Sequence, residues 1–372
     1  MESKMIRMLY VLLHIIVLSF FTFPFSFVCA AKDNSSLVES ALRTFRNAST
    51  QGSIEAKVIA ARAWAQTGSE EAKDYLIDLL DERNHDVFAQ AALSLNKLGS
   101  PIGKKRLDAV LEEPLAINES ATPIMRFKEY SQYKFRKIAA AEALGTIGDM
   151  VSLKLLKNLR RETPDGQIRD ACSISLAMLG DPAERMIFEN AASQKTTDAE
   201  IRETAVKALG TITNDASTEV LIIALSDPVA AVRAEAARAL GIIGDPKAAS
   251  YLREAVRDDD LRVRREMVRA LGTVTDPENV PVLTDALDAD DGILRLIAAR
   301  ALGRYGYAKG LSTVKRALSD KDRDVRLQAV RALETIEHKD VSEFLKEALE
   351  DSDDVVRVVA AEIIIKKNNK KQ

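Results

Sequence analysis

Apolar residues recur along this chain at helical spacing within a unit of 31 residues. An arginine marks most of the units, with a small residue three positions later and a large aliphatic residue seven positions later. In one unit these are Arg233, Ala236 and Leu240. Offsets of three, seven and ten share one face of a helix, so each unit is predicted to contain an amphipathic helix.

The marker position is called position zero below, and other positions are counted from it. The arginines at position zero are Arg169, Arg202, Arg233, Arg264, Arg295, Arg326 and Arg357. Lys57, Phe88 and Lys137 hold the same phase earlier in the chain. A repeat of about 30 residues built on helical periodicity is typical of stacked helix pairs.

Turn signals divide each unit into two helices. Glycines such as Gly68, Gly241 and Gly303 are predicted to end the first helix in the left-handed conformation. Asp-Pro pairs such as Asp245-Pro246 are predicted to open the second helix, because aspartate caps free amides and proline suits the first turn. The segment 36–47 is predicted to be a lone second helix that caps the start of the array.

The unit 232–241, Val-Arg-Ala-Glu-Ala-Ala-Arg-Ala-Leu-Gly, resembles a HEAT repeat of the short kind first associated with phycobilisome lyase subunits. The resemblance covers residues 37–366. It implies an all-α, right-handed α-solenoid of about ten HEAT-like helix pairs, in which the second helices line the concave face. At roughly 10 Å per layer, the array is expected to be a curved rod about 100 Å long.

The domain boundaries follow from this array. Residues 31–366 form the repeats, with an insertion at 112–131, and residues 367–372 are predicted to be a solvated basic tail. Residues 1–30 have the pattern of a secretory signal peptide: Lys4 and Arg7 precede an apolar run that ends in Val-Cys-Ala-Ala. We therefore expect export, with a bacterial periplasm as the compartment. An uncleaved anchor at 8–28 and a lipid anchor at Cys29 are the alternatives.

Composition narrows the function classes. The chain has 53 Lys and Arg against 56 Asp and Glu, so it lacks the basic field that drives nonspecific nucleic-acid binding. Neither His85 nor His338 has a partner at metal-ligand spacing, so no metal and no cofactor are predicted. Cys172 lies at position +3 and is predicted to be a buried structural thiol.

Two basic ladders have structural interpretations. Aspartates recur four positions before the marker arginines, and we expect them to bond those arginines and join the turns between repeats. A second ladder lies at position +5 and is predicted to be a solvated convex face. Its members are Lys207, Arg238, Arg269, Arg300 and Arg331.

Candidate partner-binding residues fall in two places. The insertion stretches one interval to 49 residues and contains Met125, Phe127 and Tyr130, and such loops either carry contacts or cover a break in the core. The second group lies on two successive second helices, where a concave position would suit an acidic partner. This group is Lys104, Lys105, Lys154, Lys157, Arg160 and Arg161.

The sequence thus predicts an exported, noncatalytic HEAT-repeat scaffold or adaptor that binds a protein partner along its concave face. The alternative is a lyase-like or chaperone-like factor that presents a bound ligand, such as a bilin, to a client protein. Lyase subunits with this repeat imply that alternative, although no residue here marks a bilin site.

Overall fold

The computed structural model describes residues 25–116, 120, 122–194 and 198–370, with side chains from residue 35 onward. All regular secondary structure in these ranges is helical, so the predicted all-α solenoid is confirmed. The first 24 residues of the predicted signal peptide and the last two residues of the predicted tail lie outside the described ranges.

Twenty α-helices alternate between two layers. The even-numbered, first helices are α2 (Ile54–Trp64), α4 (His85–Lys97), α6 (Pro123–Ile147), α8 (Gly166–Met178), α10 (Ala199–Ile212), α12 (Ala230–Ile243), α14 (Leu261–Leu271), α16 (Gly292–Arg304), α18 (Arg323–Ala332) and α20 (Asp354–Asn369). The odd-numbered, second helices are α1 (Phe25–Gln51), α3 (Glu70–Leu79), α5 (Pro101–Glu112), α7 (Leu153–Glu162), α9 (Pro182–Ser193), α11 (Thr218–Ala224), α13 (Ala249–Ala255), α15 (Asn279–Asp285), α17 (Leu311–Ala317) and α19 (Val341–Ala348).

The solenoid closes into a ring instead of forming the open rod expected from the sequence. Helix α20 packs between α18 and α2 as any first helix packs between its neighbours. Helix α1 lies against α20 as its second helix, so the tenth repeat combines the first and last described helices. Segment 36–47 is therefore half of a repeat rather than a lone cap.

Hydrogen bonds at this seam join equivalent positions, which shows that the ring closes in register. The Arg62 guanidinium at position +5 of α2 donates to the Glu362 carboxylate at position +5 of α20, at 3.1 and 2.8 Å. The Ser53 backbone amide donates to Asp354 at 2.7 Å, and the Asn369 side chain donates to the Gln66 carbonyl at 2.8 Å. Because α20 continues to Asn369, the start of the predicted solvated tail is a packed helix.

The first helices form the inner layer of the ring. Their Cα traces approach so closely that a Cβ added to Gly241 would lie 2.9 Å from the Ala270 Cα, and one added to Gly272 would lie 2.5 Å from the Ala301 Cβ. Small residues at positions +6 and +8 thus permit the tight contacts that an inner layer needs. The second helices touch one another less and form the outer layer.

Two kinds of glycine occupy the first helices. Gly99, Gly148 and Gly180 have φ between 74° and 94° and end their helices as predicted, whereas Gly68, with φ 65°, lies in the turn after α2. Gly241 and Gly303 differ, because they lie inside α12 and α16, and their role is the close helix contact.

The marker arginines hold the turns between repeats. Arg233 donates to Asp258 through two bonds of 2.6 and 2.9 Å, and its other nitrogen donates to the carbonyls of Asp227 and Pro228. Arg326 and Asp351 repeat this arrangement at 2.8 and 3.0 Å.

The aspartates four positions upstream cap the first helices, and one of them also bonds an arginine of the adjacent repeat as expected. Asp165, Asp260 and Asp353 accept hydrogen bonds from backbone amides. Asp291 caps α16 and accepts from Arg265 of the preceding repeat at 2.9 and 2.6 Å. The carboxylates that pair with Arg233 and Arg326 lie 25 positions downstream.

Candidate binding surface in the ring lumen

The lumen of the ring is lined by the first helices. One cavity of about 890 Å³ has walls from α2, α4, α6 and α10, and Arg331 of α18 reaches it from the other side. Helices that are not neighbours can share a cavity in this way only across the centre of the ring. Most of the lining residues fall at positions −2, +1, +2, +5 and +9, which lie toward one side of the helix.

This placement corrects the interpretation of the second basic ladder. Lys207 and Arg331 line the large lumen cavity, while Arg238, Arg269 and Arg300 line a smaller one. Position +5 was expected on a solvated convex face, but the first helices form the inner layer, so it faces the lumen.

The large cavity mixes apolar side chains with three carboxylates and three cationic side chains, and we call it the acidic sector after its carboxylates. Ile54 is 56% exposed there although it is a large aliphatic residue. Glu55, Asp86 and Glu142 supply carboxylates. Desolvation by the surrounding helices raises the pKa of Glu142, a shift that Asp86 assists and Lys207 opposes.

The opposite wall of the lumen is basic. Arg238, Arg269, Arg300 and Arg304 surround a cavity of about 130 Å³ whose floor includes Gly241, Ala270 and Ala301. With Arg331 on the next helix they form a set that we call the arginine arc.

A charge network connects this arc to the seam. The Glu334 carboxylate accepts from Arg300 at 2.5 Å and from Lys366 at 2.9 Å, and Lys366 also lies 3.2 Å from Glu362. Burial would raise the pKa of Glu334, but the hydrogen bond from Lys366 and the charge of Arg300 lower it to about 2.

The candidate basic group on the second helices lies on the outer layer, so the expectation of a concave position is wrong. Most of its members have local acidic neighbours. Lys104 lies 2.6 Å from Asp108 and 3.0 Å from Asp149. Lys157 lies near Asp181, Arg160 near Glu184 and Arg161 near Glu162. Lys105 and Lys154 are exposed.

The second half of the insertion, from Pro123 onward, is helical. It extends the N-terminus of α6, which has 25 residues and is the longest first helix. Met125 and Phe127 are 58% and 72% exposed on this extension. Tyr130 is different, because its hydroxyl donates to the Asp165 carboxylate at 2.6 Å and fastens the extension to the cap of α8. The insertion thus both presents apolar side chains and covers part of the array.

Residues suited to metal or nucleophilic chemistry are sparse in the described ranges. Cys172 is buried, and burial raises the pKa of its thiol to about 12, as expected for a structural thiol. No group of three or more histidine, cysteine, aspartate or glutamate side chains there is placed to hold a metal ion. Among the helices searched, none has the length and hydropathy of a membrane span.

The arginine arc was not recognised as a site from the sequence. The repeated small residues at positions +6 and +8 carried the relevant signal, because only the inner layer of a tightly curved array requires them. These small residues indicate that the first helices form the inner layer, which places position +5 in the lumen.

A family model of helical repeats agrees with this fold. The family model for HEAT repeats matches at residues 186–272, 218–301 and 280–364. An engineered protein is 20% identical, with a TM-score of 0.34 over 90% of this chain and 99% of that one. Human deoxyhypusine hydroxylase in complex with glycerol is 19% identical, with a TM-score of 0.33 over 75% of this chain and 99% of that one.

The complex of CpcE and CpcF of phycocyanin lyase from Nostoc sp. PCC7120 is 23% identical, with a TM-score of 0.37 over 71% of this chain and 93% of that one. The comparison with curated proteins finds no match. The repeat period, the helix pairs and the family model, which matches residues 186–364, together show that this chain contains HEAT repeats.

Proposed function

We propose that this protein is exported and acts as a noncatalytic HEAT-repeat adaptor that binds a segment of a protein partner along its concave surface. In the closed ring the concave surface is the lumen wall. The observation that supports this proposal best is the acidic sector, where exposed apolar residues lie beside carboxylates.

The chemistry of the acidic sector suits a short peptide segment with apolar and basic side chains. Its volume of about 890 Å³ is near the upper end of typical ligand pockets, and a folded domain is far larger. Ile54 offers apolar surface, and Glu142 offers a carboxylate whose charge a lysine or arginine of the partner would compensate.

The insertion supports a second contact outside the lumen. Exposed Met125 and Phe127 belong to residue types that are enriched at interfaces, and they lie on a helix that Tyr130 fastens to the ring. A partner whose segment enters the lumen would rest its body against this helix.

Export rests on the signal-like sequence at 1–30. Fractionation of cells that express the full chain with a C-terminal tag tests this part directly. A mature N-terminus at Ala31 in the periplasmic fraction supports export, whereas an intact N-terminus in the cytoplasmic fraction contradicts it.

Affinity capture tests the adaptor proposal. The tagged ring is used to capture proteins from the envelope fraction, followed by mass spectrometry and quantification of the recovered partner. Glu142→Lys reverses the charge at one carboxylate of the acidic sector and should lower the partner yield at least tenfold. Glu347→Lys makes the same charge change on exposed α19 of the outer layer and should leave the yield unchanged. Equal yields from the two variants would place the binding surface elsewhere.

The insertion contact has its own test. Met125→Ser combined with Phe127→Ser should weaken capture about tenfold without changing the melting temperature, because both side chains are exposed. Undiminished capture by this folded variant would remove the insertion from the proposed interface.

A further inference from the structure

The arginine arc has a geometry that the adaptor proposal does not use. Arg238, Arg269, Arg300 and Arg331 occupy position +5 on four successive first helices. Arg304 lies one helical turn beyond Arg300, and four of the five guanidinium groups converge on the cavity of about 130 Å³. The repeat itself therefore stacks like charges on one wall of the lumen.

The carboxylates near this wall do not balance it. Glu235 pairs with Arg238, and Glu266 pairs with Arg269 at 3.1 Å. Glu334 pairs with Arg300, but it also serves Lys366. Three carboxylates thus face five guanidinium groups, and one of the three is shared with Lys366, which also lies 3.2 Å from Glu362.

Two arginines of the arc have few partners because of this excess of positive charge. Arg304 has a single long hydrogen bond to the Gly272 carbonyl, at 3.4 Å. Arg331 forms no ion pair with any residue in the described ranges. Burial and the charges of neighbouring arginines lower the pKa of both side chains.

A hydrogen-bond donor in the arc also lacks an acceptor. The Arg300 Nε atom is buried and donates to no described group. Buried donors in folded proteins nearly always have a partner, so such an atom marks a place where an acceptor is expected.

We propose that the arginine arc is a binding site for a small multivalent oxyanion, of the polycarboxylate or polyphosphate class. Guanidinium groups bind carboxylate and phosphate oxygens through paired hydrogen bonds, and several of them at once select for ligands with more than one anionic group. The cavity volume accommodates a small anion or the charged end of a larger ligand.

The floor of the cavity makes the site selective for compact ligands. Gly241 and Ala270 bring the helix backbones together, so the guanidinium groups meet above a shallow, rigid surface. The arc shares Arg331 with the acidic sector, while its other four arginines line a separate cavity.

Isothermal titration calorimetry on the purified ring tests the site, with citrate and pyrophosphate as probes in 0.15 M salt. Wild type should bind at least one probe saturably. Arg304→Gln combined with Arg331→Gln should weaken that binding at least tenfold, because it removes two donors from the arc. Arg316→Gln changes one charge on exposed α17 of the outer layer and should leave binding unchanged.

Selective binding of one probe supports the proposal and assigns the class, polycarboxylate for citrate or polyphosphate for pyrophosphate. Thermal melting supplies a second readout, because a ligand of the folded state raises the melting temperature. The probe should raise it for wild type and for Arg316→Gln but not for the double variant, in solutions matched in ionic strength with potassium chloride. Absence of saturable binding by both probes, or equal affinity of wild type and the folded double variant, would overturn the proposal.

Discussion

The two sides of the lumen differ although the same repeat builds both. From α10 to α20 the position-zero markers keep the 31-residue period, and position +5 is basic in five successive first helices from α10 to α18. From α2 to α8 the period is interrupted by the insertion, and position +5 is occupied by Arg62, Leu93, Glu142 and Ile174. The HEAT-repeat family model matches mainly the first of these arcs, at residues 186–364.

This contrast distinguishes the positions that the fold constrains from the positions on the lumen wall where the side chain can vary. Positions +3 and +7 are buried in both arcs, as Ala60 and Trp64 show in one and Ala236 and Leu240 in the other. Position +5 faces an open lumen, where the core places no constraint on side-chain chemistry. One arc has become an arginine cluster and the other an apolar and acidic surface.

Substitution at position zero should give the largest difference in lost stability between the two arcs. Arg233→Ala removes two bonds to Asp258, whose side chain is 11% exposed, and should destabilise the ring by about 3 kcal/mol. Lys57→Ala removes the contact with Glu82, whose side chain is 34% exposed, and should cost about 1 kcal/mol. Urea denaturation of both variants measures the difference, and equal losses would contradict a stronger ladder in the regular arc.

Removal of the Glu334 charge from the seam network should give the next largest loss of stability, and this loss depends on pH. The pKa of Glu334 is about 2 in the folded ring, below its unfolded value, so its stabilisation is present above about pH 4.5 and is lost as the pH falls toward 2. Glu334→Gln should therefore cost roughly 3 kcal/mol at neutral pH and flatten the fall in stability between pH 4.5 and 2.5.

Glu337→Gln is the matched control, because the Glu337 side chain is 75% exposed and pairs only with Lys367 among the described ion pairs. It should change stability by less than about 0.5 kcal/mol. If Glu334→Gln retains the wild-type dependence on pH, the network does not contribute the predicted stabilisation.

Close packing of the inner layer gives a third comparison. Gly272→Ala places a Cβ 2.5 Å from the Ala301 Cβ and should destabilise the ring by about 2 kcal/mol. Asn96→Ala changes the same +8 position of α4, where the side chain is half-buried, and should remain within about 0.5 kcal/mol of wild type. Thermal unfolding compares them. A neutral Gly272→Ala would show that the helices can separate without cost.

The smallest effect is expected at the fastening of the insertion. Tyr130→Phe removes the hydrogen bond to Asp165 and should cost about 1 kcal/mol. Hydrogen exchange should show greater opening of the α6 extension, while the remainder of the ring keeps its protection. Unchanged exchange in 123–130 would mean that other contacts hold the extension.

Local patterns in the sequence predicted the repeat units well because helix periodicity and caps are set within a few residues. The helix pairs, the buried Leu240 and the glycine ends at Gly99 and Gly148 follow from such patterns. Closure did not follow, since it depends on the summed rotation of ten repeats, about 36° each for a complete turn.

The same limit explains the errors at the candidate sites. The face on which Arg238 or Lys104 lies depends on which of the two helix layers is the inner one. Periodicity within one helix does not reveal which layer that is. The close contact between Gly241 and Ala270 of the next repeat shows that the first helices form the inner layer. The partner and the compartment remain predictions, because neither is encoded in the packing of the ring.

Closure in register also fixes the number of repeats. An open array can lengthen or shorten when near-identical units recombine, because each added unit finds the same neighbours. In this ring an extra unit would separate Arg62 from Glu362, and a missing one would leave α1 and α20 unable to meet both neighbours. Such a protein can diversify by substitution along its inner wall or by outward insertions such as the one before α6, while its repeat count is held constant.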